Sequence, residues 1–134
     1  MRYLISLVLL LGIVSFCMGQ QDSPEEAMVH SRAHHLALRA FELYEFPVEH
    51  RPTIVWNYMD DWEHAAIADC KGWQLILNHR TAIDNTDAML NKVLPHEYGH
   101  FVYCHLHNGT VGRDAHSLQW QFYVAELGGD PTYY

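Results

Sequence analysis

The 134-residue chain is short of basic residues, of cysteine and of long apolar runs. Lysine and arginine together number 8, against 16 acidic residues. That balance argues against nucleic acid as a partner, because binding to a phosphate backbone draws its strength from cationic side chains. The 3 cysteines include no C-x-x-C pair, which excludes a ribbon-type structural zinc site. Internal repeats and low-complexity tracts are absent, so the chain does not read as a repeat array. The apolar run over residues 3–18 is 16 residues long, less than the ~20 that a membrane-spanning helix needs.

What is present begins with that run. Arg2 precedes it, and Cys17 and Gly19 are small residues at the −3 and −1 positions of a cut after Gly19. This is the layout of a cleaved signal peptide over residues 1–19, with the mature domain spanning 20–134. The expected location is therefore exported, secreted or periplasmic, with an N-terminal membrane anchor as the alternative. Bulky Phe16 disfavours a lipoprotein cut before Cys17. The mature chain carries seven basic and sixteen acidic residues, a net charge of −9, and no membrane span. Cys70 and Cys104 remain in it; their pairing depends on geometry and stays open at this point.

The mature length suits one domain. Ser23-Pro24-Glu25-Glu26 predicts a helix start with a capping box. Met28, Leu36, Leu38, Phe41 and Leu43 are its expected apolar face, and it should end before Pro47. Three strands are expected at residues 53–58, 65–69 and 73–78, with a turn at Lys71-Gly72. Asn85-Thr86-Asp87 offers caps for a long helix reaching about Leu106, which Pro95 should bend or break just before His96. Asn108-Gly109 ends it, and a loop through Gly112 and Arg113 leads to a last helix from about Ser117 to Leu127. The fold class is α+β.

The chemistry is concentrated in His96-Glu97-Tyr98-Gly99-His100. On a helix, two histidines four apart share one face and can hold one zinc ion. Glu97 is then placed to take a proton from a water activated at the metal and to pass it to a leaving amine. Several residues compete as third ligand. His105 and His107 point partly away or sit too far along the helix. The metzincin pattern needs Gly at 103 and His at 106, where the chain has Tyr103 and Leu106. Glu126 lies 26 residues after His100 and His116 lies 16 after it, just past a glycine-containing loop. That loop lets the chain turn back, so His116 is preferred to Glu126.

Val93-Leu94-Pro95-His96-Glu97-Tyr98-Gly99-His100 resembles the active-site helix of the SprT-like (Spartan-type) zinc metallopeptidases. Ala115-His116-Ser117-Leu118-Gln119-Trp120 is similar to that family's second motif, a ligand histidine followed four positions on by an aromatic residue. Leu127-Gly128-Gly129-Asp130-Pro131 resembles its continuation. The resemblance spans about residues 24 to 134. It implies a zincin-like minimal domain: an N-terminal helix, a small three-stranded sheet, the HExxH helix and a C-terminal helix. It further implies a metallopeptidase in which His96, His100 and His116 bind Zn²⁺ and Glu97 is the catalytic acid/base, acting on a protein or peptide substrate. Family members are typically intracellular, and the best known cleave proteins attached to DNA. The export signal, the acidity and the lack of a C-terminal zinc-binding extension depart from that pattern, so the DNA-linked role is not carried over.

Two other readings use the same residues. One is a non-catalytic zinc-binding or interaction protein, against which an intact Glu97 argues. The other is a zinc amidase acting on cell-wall peptides. His34-His35 are expected at the surface or half-buried, and Trp56, Trp62, Trp73 and Trp120 in the core or in groove walls. Tyr103, Tyr133 and Tyr134 are candidate donors to an oxyanion.

Overall fold

A computed structural model describes residues 22–109 and 115–133. The leader and the loop through Gly112 and Arg113 lie outside these residues. Helix α1, Pro24–Tyr44, opens with the expected capping box. The Glu26 N–H donates to Ser23 Oγ at 3.2 Å, and the Ser23 N–H donates to the Glu26 carboxylate at 2.7 Å. Its buried face differs from the expected one: Val29, Ala33, Leu36, Ala37 and Ala40 point inward, while Met28 and Phe41 are 50% and 51% exposed. Three of those five inward residues are alanines. Short side chains let α1 lie close to its neighbours, and reading only bulky residues turned the face toward solvent. The helix ends at Glu45, whose left-handed φ of 55° turns the chain toward buried Phe46.

Strands β1 (Thr53–Asn57), β2 (Ala66–Asp69) and β3 (Gln74–Asn78) form one sheet in the order β1-β3-β2. β3 is central, parallel to β1 and antiparallel to β2. Leu75 and Leu77 of β3 are fully buried. Asp69 Oδ1 accepts from the N–H groups of Lys71 and Gly72 at 3.0 and 2.9 Å and so builds the β2–β3 turn. Helix α2, His79–Asp84, was not expected. Asn78, read only as a strand residue, also caps it: its Oδ1 accepts from the Thr81 N–H at 3.1 Å.

Asn85 caps the next turn, Thr86–Ala88. Of the expected bend or break at Pro95, the break does not occur. A wide π turn, Met89–Val93, comes first, with the Leu94 N–H donating to the Met89 carbonyl five residues back. A proline ring crowds the carbonyl four residues earlier and offers no N–H; the wider winding absorbs both problems and the backbone stays helical. Helix α3, Leu94–Leu106, then places Pro95 in its first turn. Residues 93–99 are all buried, so α3 runs through the middle of the domain. Gly109 closes it, its N–H donating to the Cys104 carbonyl at 2.7 Å. Helix α4, Leu118–Glu126, is capped by Ser117 and closed by Gly128 at φ 82°. The fold is α+β, consistent with a small zincin-like domain. No helix among the described residues is long and apolar enough to cross a membrane.

A disulfide joins Cys70, after β2, to Cys104 on α3, with 6.3 Å between the Cα atoms. It closes a loop of 34 residues, and the chain-entropy estimate for that length is about 3–4 kcal/mol. Replacing both cysteines by serine is expected to lower the urea unfolding free energy by about that amount. Reducing agent should destabilise the parent protein and leave the double variant unaffected.

Candidate metal centre

His96 and His100 stand one turn apart on α3, with their Nε2 atoms 3.3 Å apart. His116 precedes α4 and brings its ring to 5.1 and 5.2 Å from theirs. One nitrogen from each of the three lies within 4.8 Å of the others. The Nδ1–H of His96 donates to the Tyr133 main-chain carbonyl at 2.6 Å. A carbonyl only accepts, so Nδ1 carries the proton and Nε2 keeps its lone pair turned toward His100.

The electrostatics suit neutral imidazoles. Burial holds His100 down to about 3, helped by His96 and His116. Burial also lowers His96, against the raising effect of its bond to Tyr133. Neutral imidazole is the form that ligates a metal, so the three nitrogens fit an ion shared among them.

Small residues and one tryptophan set this geometry. Trp120 is fully buried, and its indole N–H donates to the His96 carbonyl at 3.4 Å. Its ring stacks on His100 at 5.2 Å and meets His96 and His116 at 4.7 and 4.6 Å. The helices can approach this closely only because residue 99 is glycine. A Cβ there would sit 2.4 Å from Val124 Cγ2 and 3.0 Å from the Trp120 indole nitrogen. Gly129 similarly leaves room for Pro95, which a Cβ would meet at 2.5 Å.

Glu97 is 7% exposed and accepts a hydrogen bond from the Ala68 N–H of β2. Burial pushes its carboxyl up to about 7, against that bond. A cation beside it would favour the charged form. A cleft of about 280 Å³ opens on one side, lined by Glu97, His100, His116, Tyr103, Ala66 and Ala68 together with the disulfide. A second, about 220 Å³, is lined by His96, Glu97, Val93, Ala66 and Tyr133 among others. Glu97 and Ala66 border both.

The rival ligands lie elsewhere. Glu126 is exposed, and its carbonyl accepts from Arg39 Nε of α1 at 3.5 Å. His105 packs against Phe46 at 4.8 Å, and His107 against Tyr103 at 4.1 Å. His34 and His35 are exposed on α1. Of the tyrosines, Tyr103 lines the first cleft, Tyr133 contributes its carbonyl to His96, and Tyr134 lies outside the described residues. The Tyr133 carbonyl and the Ala68 N–H had no signature in the sequence, because main-chain groups are common to all residues. Trp120 did have one, in its spacing four residues after His116.

The chain matches no protein-family model and no solved structure. It is similar to Protein SprT of Photorhabdus laumondii subsp. laumondii, 32% identical over 88 residues. The matched region is 66% of this chain, and the chain spans 41% of the length of that relative. With the histidine group and the α+β architecture in place, this match supports a SprT-like relationship.

Proposed function

We propose that the chain is an exported zinc-dependent metallopeptidase that hydrolyses peptide bonds in the cleft between β2 and α3. The observation that carries this reading is the convergence of His96, His100 and His116 beside buried Glu97. Three imidazoles are a zinc donor set that leaves a fourth position open, and the SprT-like relationship points the same way. Bound zinc supplies Lewis-acid polarisation of a carbonyl and acidifies water.

The remaining steps belong to the chain. Glu97 takes a proton from the attacking water and returns it to the leaving amine. Its raised affinity for a proton, from burial, suits a group that must both accept and release one near neutral pH. The Ala68 N–H fixes one carboxylate oxygen. Because Ala68 donates to Glu97, its main chain faces away from β3, and antiparallel alternation turns Ala66 the same way. Among the described residues β2 pairs only with β3, so this outer edge can pair with an extended peptide. The disulfide supports the export reading, since such bonds persist in oxidising compartments.

Purified protein should hold one tightly bound zinc. Chelation should abolish cleavage of an unfolded protein substrate, and added zinc should restore it. Undiminished cleavage by the metal-free protein would sink the proposal.

A further inference from the structure

A cavity larger than either cleft at the metal centre lies elsewhere in the domain. It measures about 680 Å³ and lies between α1, the segment leading into β1, and α3 at Tyr98. Two observations mark it. Tyr98 stands in its wall, and although the residue is 1% exposed its hydroxyl is not sealed in the core and makes no hydrogen bond to any described residue. A phenol whose body is buried and whose hydroxyl keeps access to a cavity can donate to a ligand's acceptor there. Arg51, also in the wall, has no carboxylate within 4.0 Å among the described residues. Its Nη1–H donates to His34 Nδ1 at 3.2 Å, which orients the guanidinium without neutralising it. Burial pushes the Tyr98 phenol up, and the Arg51 charge opposes that shift.

We propose that this cavity binds a carboxylate attached to an apolar group, the carboxylate on Arg51 and Tyr98 and the hydrocarbon on Ala33, Pro52 and Ile54. A guanidinium matches a carboxylate in shape and charge through two parallel N–H donors. One arginine balances one negative charge. Glu49 on the same wall, and the formal net charge of −8, disfavour a dianion such as phosphate. Two sources share this chemistry: a free small carboxylic acid and the C-terminus of a polypeptide. Tyr98 follows Glu97 on α3, so the two sites are bordered by adjacent residues of one helix. The binding proposal does not depend on the zinc reading.

The test is calorimetric titration of the full chain with N-acetyl-L-leucine, its amide, the peptide Ala-Ala-Leu and inorganic phosphate. The acid and the peptide should bind, and the amide at least about tenfold more weakly, since it lacks the charge that Arg51 recognises. Tighter binding of the peptide identifies a polypeptide terminus as the source; equal binding identifies a small acid. Arg51→Gln should weaken the acid by about tenfold or more, and Tyr98→Phe by a smaller factor. Arg51→Lys, which keeps the charge and loses the fork, should fall between Arg51→Gln and the parent. Circular dichroism and Tm would establish that each variant is folded. Equal binding of acid and amide, preference for phosphate, absence of saturable binding, or affinity unchanged in folded Arg51→Gln would each overturn the proposal.

Discussion

Glu97→Gln is expected to leave zinc bound and to lower peptide hydrolysis by about 10²–10⁴-fold, the usual contribution of a positioned general base. Glutamine has the same size and shape, and its amide oxygen can still accept from the Ala68 N–H, so the packing around residue 97 should persist. What it lacks is the capacity to accept a proton. The three imidazoles do not include residue 97, so metal content should stay at the parent level. Zinc content and cleavage rate, measured on one preparation, separate the two roles. Full activity in the variant would refute the assignment of Glu97 as acid/base.

His116→Ala should have the opposite signature, with zinc lost and activity lost with it. His116 arrives from outside α3, and without it the two remaining nitrogens, 3.3 Å apart, hold an ion from one side only. The affinity loss should exceed the roughly 10–100-fold typical of removing a group that merely supports a ligand. Glu126→Ala is the matched control. Its side chain is exposed and is not among the three that converge, so zinc should be retained. Metal analysis after dialysis decides the matter. Zinc lost on changing Glu126 and kept on changing His116 would reverse the ligand assignment.

Features that depend on neighbours in sequence were legible before the structure. The Ser23 capping box, the Asp69–Gly72 turn and the glycine closing α4 follow from side chains that bond within a few residues of themselves. The pairing of His96 with His100 needed only helical periodicity. Features set by packing at a distance were harder to read. The inward face of α1 is chosen by how closely alanines let another helix approach, a property of the neighbour as much as of α1. Pro95 does not break the helix because the preceding five residues rewind, and no residue type announces a π turn. Joining Cys70 to Cys104 required knowing that β2 lies along α3. His116 could be preferred over Glu126 from spacing and resemblance, but its place beside the other two rests on Gly99 admitting Trp120.

The bond from His96 to the carbonyl of Tyr133 has a consequence for how this protein tolerates change. The acceptor is a peptide oxygen, present whatever side chain residue 133 carries. Substituting positions one by one would therefore pass over this contact and report the segment as dispensable. Altering the path of the chain would not. A single-residue insertion or deletion between Gly129 and Tyr133 moves the carbonyl away and frees the imidazole to turn. Apart from Gly129, where a side chain would meet Pro95, the segment is permissive in composition and strict in length.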